Sequence, residues 1–293
     1  MISALRFAVL LALTPVLVLP SIGHAFTLFE AAGADPASIQ GAVDAFRAAL
    51  GDPNNANAPG PLATGRREIN WDGGGPPVID GTAPVTPFTV FQNTRGGTFT
   101  TPGIGLTQAA ATGGLLSLDL INPTYATTFA PFSPNRLFAP VGSNVTDADF
   151  SIPGTGGVTP AGIQGFGVVF SDVDLAGSTS IDFFDRSGNL LASQDVPASL
   201  GDATFSFLGL LFDPSEGQIV SARITTGSAA LGPNDDPSNG VDMVVMDDFI
   251  YAEPQALVPL PGSLLLLGAG LLSAGALARA RARRAAARTP IEG

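Results

Sequence analysis

Few residue types in this chain could perform chemistry, and most of those are carboxylates. The single histidine is His24, and the chain has no cysteine and no lysine. If a leader is removed after Ala25, the remainder lacks the side chains that usually serve as bases, nucleophiles, Schiff-base amines or zinc ligands. A glycosidase needs only two carboxylates at a fixed separation, but the sequence singles out no such pair. The sequence therefore predicts a protein that is not an enzyme and has no cofactor apart from a candidate structural calcium.

Calcium is the metal that suits these carboxylates, because it takes hard oxygen ligands in loose geometry. Asp172 and Asp174 leave a predicted strand at alternate positions, so we expect their side chains to share one face. The final predicted strand is also acidic and follows an acidic loop: Asp242, Asp247, Asp248 and Asn234-Asp235-Asp236. By strand periodicity, Asp247 and Asp248 face opposite sides, so at most one points inwards. The candidate calcium ligands are Asp172, Asp174, Asp242 and Asp247; the alternative is that they are solvated edge aspartates.

Composition indicates a β-rich globular body with an acidic surface. The chain has 293 residues, 45% of them hydrophobic and only 13% charged, with 36 glycines and 25 prolines. This balance favours turns and strands over long surface helices. Between residues 26 and 258 there are 24 acidic residues and 7 arginines, which gives a net charge of −17. Such a field repels phosphate backbones, so no nucleic acid partner is expected.

Short β-rich runs separated by Gly, Pro, Asn and Asp extend from about residue 67 to residue 253. Without alternating helices, they predict one antiparallel β-sandwich or jelly roll over residues 67–253. The clearest hairpin spans residues 181–191, where Ser187-Gly188-Asn189 offers the positive φ that a bulged turn needs. The other predicted strands lie around residues 69, 88–91, 98–101, 115–120, 165–170, 204–212, 219–225 and 242–251.

The segment before the sandwich, residues 26–66, predicts one helix followed by an irregular loop. Asp35 is a helix cap, Pro36 suits the first helical position, and Gly51 ends the apolar stripe. The stripe follows helical spacing through Ile39, Val43, Phe46 and Leu50. A run rich in Asn, Pro and Gly at residues 52–61 then excludes both helix and central strand.

A glycan-binding face needs exposed aromatic platforms, and the body has few residues for this role. It has one tryptophan and two tyrosines: Trp71, Tyr125 and Tyr251. Trp71 precedes Asp72 and two glycines and could be a platform, but a core anchor is the preferred interpretation.

Both ends of the chain have the pattern of export signals. Residues 1–25 combine Arg6, an apolar run over 7–19 and a small-residue site ending at Ala25, which predicts a signal peptide cleaved before Phe26. About 13 apolar residues are too few to cross roughly 30 Å of hydrocarbon. We therefore expect signal peptidase to process the chain.

The far end, residues 254–293, has a proline junction, an uncharged span and an arginine cluster. Residues 262–278 would make a helix of roughly 26 Å, the lower limit for crossing a bilayer. Arginines held on the cytoplasmic side leave the body outside, which agrees with the signal peptide. The residues that carry this pattern are Pro259, Pro261, Gly262, Ser263, Arg279, Arg281, Arg283 and Arg284.

These last residues resemble a PEP-CTERM sorting signal, in the variant form Val258-Pro259-Leu260-Pro261. The resemblance implies an exosortase-like sorting enzyme as a partner, with Leu260 in place of the family's Glu. It implies transient residence in the inner membrane through the C-terminal span, then delivery to the cell envelope, the surface or the medium. Because the family is associated with biofilm matrix, exopolysaccharide stays open as a further partner.

Two resemblances bear on the body. Segments within residues 132–251 are similar to the β-sandwich bodies common among PEP-CTERM proteins, which have no assigned activity: Ser133-Pro134-Asn135-Arg136, Asp172-Val173-Asp174 and Val244-Val245-Met246-Asp247-Asp248-Phe249. The last of these is also similar to the closing strand of jelly-roll carbohydrate-binding modules, in which an Asp often holds structural calcium. We therefore expect an exported, non-catalytic surface or matrix protein, with a glycan-binding jelly-roll module as the alternative.

Overall fold

A computed structural model describes residues 25–74, 80–215 and 217–257 of the chain. The predicted leader up to residue 24, the proline junction from Val258 and the arginine cluster lie outside these ranges. The predicted C-terminal hydrophobic helix lies outside them as well. In the described ranges no helix has both the length and the apolar character needed to cross a bilayer.

The described residues form mostly short strands. In chain order the strands are β1 Phe26–Gly33, β2 Arg66–Ile69, β3 Gly97–Thr100, β4 Gly105–Ala109, β5 Leu137–Val141, β6 Val145–Phe150, β7 Ala161–Gly162, β8 Gly165–Ser171, β9 Ser180–Phe184, β10 Leu190–Asp195, β11 Phe205–Phe212, β12 Ser221–Thr225, β13 Val245–Ala252 and β14 Gln255–Ala256. The helices are α1 Pro36–Leu50, α2 Gln92–Arg95 and α3 Tyr125–Thr128. Single 3₁₀ turns lie at Leu118–Leu120 and Pro237–Asn239.

Two antiparallel sheets enclose one hydrophobic core. The larger has seven strands in the order β1-β11-β8-β13-β5-β4, with β2 also paired to β13. The smaller has five, in the order β10-β9-β12-β6-β3, while β14 and β7 form a separate pair. Phe166 and Phe170 of the larger sheet share a buried cluster with Ile181 and Phe183 of the smaller. The predicted mainly β, antiparallel fold is confirmed, and the arrangement is sandwich-like.

The two sheets differ in how much of them is covered. In β9 and β12, buried and partly exposed residues alternate, because one face meets the core and the other meets water. In β8 and β13 every residue is buried, because the outer face of the larger sheet is covered too. The predicted hairpin is present: β9 pairs with β10, and Gly188 has a φ of 76°.

Helix α1, whose presence and apolar stripe the sequence pattern predicts, covers part of that outer face. Asp35 accepts a hydrogen bond from the Ser38 backbone N–H at 2.8 Å, which caps the first turn. Ile39, Val43 and Phe46 are fully buried and belong to a cluster with residues of β8, β11 and β13. The stripe that sequence periodicity identifies is therefore the docking face of the helix.

Three local predictions are wrong. Residues 26–66 begin with strand β1, which pairs along its whole length with β11, rather than directly with a helix. Phe26 and Leu28 are exposed on this edge strand, so the strand lacks the buried alternation that would reveal it. Residues 115–120 end in a 3₁₀ turn with Leu115 and Leu120 exposed, and residues 88–91 contribute only an isolated bridge.

Candidate metal centre

Five aspartates meet at one end of the larger sheet because of its strand order. Asp172 and Asp174 follow β8, Asp202 precedes β11, and Asp235 and Asp242 precede β13. Strands β11 and β13 flank β8 and run antiparallel to it, so their starts lie beside its end. The register shows this directly, since Ser171 pairs with both Phe205 and Val245.

The five carboxylates form two overlapping groups, which we call the acidic cluster. One group is Asp172, Asp202 and Asp235, and the other is Asp174, Asp235 and Asp242. Within each group the candidate ligand oxygens all lie within 4.8 Å of one another. Two oxygens on opposite sides of a calcium ion are separated by about 4.8 Å, since each Ca–O distance is about 2.3–2.6 Å. Each group therefore has the span of a calcium coordination shell.

Asp172 is the most unusual member of the acidic cluster. Its side chain is fully buried, and neither carboxylate oxygen has a hydrogen-bond partner among the described residues. Burial raises its pKa to about 9, with further contributions from Asp174, Asp235, Asp202 and Asp242. Its φ of 73° is in the left-handed region, which Asp tolerates better than most residues. A buried carboxylate without a donor is costly unless a cation satisfies it.

Asp242 and Asp174 connect the loops that hold the cluster. Asp242 accepts the backbone N–H groups of Asp174 at 3.1 Å and Leu175 at 3.2 Å, and also the Ser178 hydroxyl. Burial raises the pKa of Asp242 despite these donors. Asp174 in turn accepts the Gly201 backbone N–H at 2.7 Å. These bonds fix the loop after β8 against both of its neighbours.

One glycine is required for this packing. Gly227 has a φ of 65°, and a Cβ added there would lie 2.1 Å from the Asp242 carbonyl oxygen. That carbonyl accepts the Ser228 backbone N–H at 2.9 Å. A side chain at position 227 would therefore displace the segment that carries Asp242.

Asp235 and Asp202 complete the cluster from its solvent side. Asp235 accepts the Met243 backbone N–H at 2.8 Å, and burial raises its pKa to about 6, with smaller contributions from Asp174 and Asp242. Asp202 is exposed at the surface. The cluster thus runs from the buried Asp172 to solvent, which gives an ion a route of entry.

Asp247, the fourth predicted ligand, does not join this cluster. It is fully buried and accepts the backbone N–H groups of Phe132 at 2.6 Å and Ser133 at 3.2 Å. The Ser133 hydroxyl donates to Asp248 at 2.6 Å, and Asp248 contacts Arg47 of α1 at 3.3 Å. Burial, followed by the neighbouring Asp248, raises the pKa of Asp247. The pair attaches α1 and the loop before β5 to strand β13.

The prediction that Asp247 and Asp248 face opposite sides of the strand is wrong. Both are buried, and the Ser133 hydroxyl contacts both carboxylates. The register of β13 against β8 shifts between Met246 and Phe249, which marks a β-bulge. A bulge puts two residues opposite one, so alternation fails at this point in the strand.

Asp202 is the ligand candidate that the sequence does not predict, and Asp235 is recognised only as part of an acidic loop. Asp202 follows Gly201 in what reads as an ordinary turn. Its proximity to Asp172 depends on the pairing of β8 with β11, which no spacing in the sequence encodes. A calcium-binding repeat would have been a signal, and the sequence has none.

Trp71 is a core residue, as preferred from the sequence. It is fully buried and stacks on Phe138 with ring centroids 3.7 Å apart. Its indole N–H donates to the Asp247 carbonyl oxygen at 2.7 Å. Tyr125 and Tyr251 are also fully buried. The tryptophan and both tyrosines of the body are therefore withdrawn from the surface.

Comparisons with known proteins give little to set beside this geometry. No family model and no curated protein matches the chain. Among solved structures, a match is the enzymatically active domain of tailspike protein 4 from bacteriophage CBA120, at 15% identity and a TM-score of 0.26. The match covers 60% of this chain and 21% of the tailspike chain, about a fifth of its length. A likeness at that TM-score carries no argument about fold or activity.

Proposed function

We propose that this chain is an exported, non-catalytic structural protein of the cell surface or extracellular matrix, whose body is stabilised by calcium at the acidic cluster. The observation that carries the calcium assignment is Asp172, a fully buried carboxylate without a hydrogen-bond donor among four other carboxylates. Extracellular calcium modules bind with dissociation constants of about 10⁻⁴–10⁻³ M, and we expect an affinity in this range for an exported body.

Two features support a non-catalytic role. The body lacks His, Cys and Lys, so acid–base work falls to its carboxylates. A cavity of about 760 Å³ lies at the opposite end of the larger sheet from the acidic cluster, near Phe26 and Phe212. Of its three carboxylates, Asp52 and Glu253 are each paired with an arginine, and Asp213 accepts the backbone N–H and hydroxyl of Ser215. Asp52 and Glu253 are therefore better explained as members of ion pairs that stabilise the fold than as carboxylates that transfer protons in catalysis.

The burial of the aromatic residues favours the structural role over the glycan-binding alternative. Sugar rings stack on exposed Trp and Tyr faces, which offer a flat apolar surface with a polar edge. Trp71, Tyr125 and Tyr251 are all at 0% exposure. A glycan-binding site on the body would have to do without them.

Delivery through the PEP-CTERM-like signal is part of the same proposal. It predicts that the surface or secreted form begins at Phe26 and has lost the segment containing Arg279, Arg281, Arg283 and Arg284. Mass spectrometry of both ends of the native protein, in membrane and medium fractions, measures this. A tail intact through Arg288 in the final location contradicts sorting by cleavage and leaves a protein anchored by its C-terminal span.

The calcium proposal predicts a calcium-dependent melting temperature. A ligand present at 100 times its Kd stabilises the native state by about 2.7 kcal/mol. For a chain of this size, that corresponds to a rise in Tm of about 5–10 °C. Thermal unfolding of the purified protein should therefore show this rise between excess EDTA and about 10 mM CaCl₂.

Magnesium provides the control for ionic strength and charge screening. Mg²⁺ requires near-ideal octahedral geometry at about 2.0–2.1 Å and loses its waters reluctantly, so we expect a smaller rise. An equal midpoint in EDTA, Mg²⁺ and Ca²⁺ would remove calcium from the proposed function.

A further inference from the structure

The two groups of the acidic cluster share one residue and otherwise use different ones. Asp235 belongs to both, while Asp172 and Asp202 belong only to the first and Asp174 and Asp242 only to the second. Each group satisfies the same 4.8 Å limit on its own. For a single ion to take the ligands of both groups at their present positions, the carboxylate oxygens of all five residues would have to lie within 4.8 Å of one another. The limit is met within each group separately.

We propose that the acidic cluster binds two calcium ions, with the Asp235 carboxylate bridging them. The outer ion lies between Asp172, Asp202 and Asp235, and the inner ion lies between Asp174, Asp235 and Asp242. This inference deepens the proposed function and rests on it. It concerns the number and position of the ions rather than whether calcium binds.

Charge balance favours two ions over one. The five ionised carboxylates carry a charge of −5, so one divalent cation leaves −3 and two leave −1. The charged groups that act on Asp172 are Asp174, Asp235, Asp202 and Asp242, all of them acidic. At separations of a few ångströms in a partly buried site, uncompensated like charges repel strongly. A second cation removes most of the repulsion that a first one leaves.

The free lone pairs of the carboxylates are distributed to suit both positions. Both oxygens of Asp172 are without donors, so the outer ion has a buried ligand already aimed at it. One oxygen of Asp235 accepts the Met243 N–H, and the Asp235 side chain also makes a hydrogen bond with Asp174, which a bridging cation would replace. The oxygens of Asp174 and Asp242 accept backbone N–H groups, yet each carboxylate offers about four lone-pair sites. Asp174 and Asp242 therefore keep lone pairs that can bind a cation.

The two positions also differ in access to solvent. Asp202 is exposed, so water can complete the shell of the outer ion. Asp174 is 8% exposed and Asp242 is fully buried, so the inner ion depends more on protein oxygens. Because calcium takes six to eight oxygen ligands, three carboxylates leave room at both positions for water and loop carbonyls. Substitution at Asp202 should therefore remove the outer ion and leave the inner one.

The test is the calcium stoichiometry of the full chain, by equilibrium dialysis with metal analysis and by calorimetric titration with CaCl₂. We expect two ions per chain in the wild type, one in Asp202→Asn and at least a tenfold loss of affinity at both positions in Asp235→Asn. Asp44→Asn, an exposed aspartate on α1, is the matched control and should retain two. Circular dichroism checks that each variant is folded.

The outcomes separate the two proposals. No bound calcium in the wild type overturns the proposed calcium role together with this inference. One ion in the wild type overturns the two-ion inference and leaves the calcium role intact. Two ions retained in Asp202→Asn overturns the assignment of the outer position, and Asp202 is an exposed residue whose substitution should not prevent folding. Unchanged affinities in Asp235→Asn overturn the bridge.

Discussion

Asp172→Asn is expected to make the calcium-free protein more stable at pH 8, and at the same time to reduce its stabilisation by calcium through loss of the outer ion. Asn has nearly the shape of Asp but no charge, so the variant removes a buried carboxylate that has no donor. It also removes the ligand that faces the outer ion. A substitution that only damaged the fold would lower the melting temperature in both conditions.

The sign follows from the pKa of Asp172, which burial and its acidic neighbours raise to about 9. The unfolded chain ionises this group near 3.9. Between these values the folded state holds a proton that the unfolded state has released, so the stability of the calcium-free protein falls as pH rises from about 4 to about 9. Below pH 4 Asp172 is protonated in both the folded and the unfolded state, and above pH 9 it is ionised in both. Its contribution to the pH dependence of stability therefore levels off outside this range.

The expected magnitude is large for a single substitution. Each unit of pKa difference corresponds to about 1.4 kcal/mol, and loop relaxation that admits water will reduce the full effect. We expect about 2–3 kcal/mol at pH 8, or a rise in Tm of about 5–10 °C in EDTA relative to wild type. Near pH 4 the two proteins should melt together. Thermal unfolding of both, with and without calcium, across pH 4–9 measures this.

Asp44→Asn is again the control, since it removes one exposed carboxylate from the same chain. It should change neither the pH dependence nor the calcium response. If Asp172→Asn lowered the midpoint in EDTA at pH 8, or kept the full calcium shift, the interpretation of Asp172 as an unsatisfied ligand would be wrong.

The sequence predicts the fold class because the signals for it are local. Helix α1 has its cap, its proline and its stripe within one stretch, and the turn at Gly188 identifies the hairpin of β9 and β10. Strand β1 has no such signal, because it lies at a sheet edge with Phe26 and Leu28 exposed. Its position is set by pairing with β11, far along the chain.

The candidate site could be predicted only in part, for a related reason. Asp172, Asp174 and Asp242 are identified by residue type, and all three are in the cluster. Asp202 joins them because β11 and β13 flank β8, an order that depends on tertiary packing. Asp247 is excluded because a bulge turns it towards Phe132 and Ser133. The residue types in a sequence show which side chains could bind a cation. Which loops come together depends on the strand order of the folded sheet.

At the other end of the larger sheet, Arg67 and Glu253 form a buried ion pair. Two guanidinium nitrogens of Arg67 donate to the Glu253 carboxylate at 2.6 and 2.7 Å, and the side chains are 0% and 2% exposed. Arg67 also donates to the carbonyls of Ala56 and Ala58, both at 2.7 Å. Glu253 accepts the Asn55 side-chain amide at 2.9 Å. The pair thus holds the loop before β2 against the end of β13.

Glu253→Gln is expected to destabilise the protein by about 3–5 kcal/mol, because it leaves the Arg67 guanidinium buried without its counter-charge. For a chain of this size, the fall in Tm is about 10 °C. Chemical denaturation, with the unfolding free energy extrapolated to water, measures the effect. The loss should appear equally in EDTA and in calcium, since this pair and the acidic cluster lie at opposite ends of the sheet.

Arg223 and Asp147 supply the matched comparison, because they form the same kind of two-point pair at 2.7 and 3.0 Å on the exposed face of the smaller sheet. Their side chains are 52% and 30% exposed, so water satisfies either partner when the other is removed. Asp147→Asn should therefore cost no more than about 1 kcal/mol. Equal losses in the two variants would mean that desolvation does not set the strength of the Arg67–Glu253 pair. A larger loss of unfolding free energy in Glu253→Gln than in Asp147→Asn would show that the buried Arg67 guanidinium needs its counter-charge. The ion pair would then be what holds the loop before β2 in place.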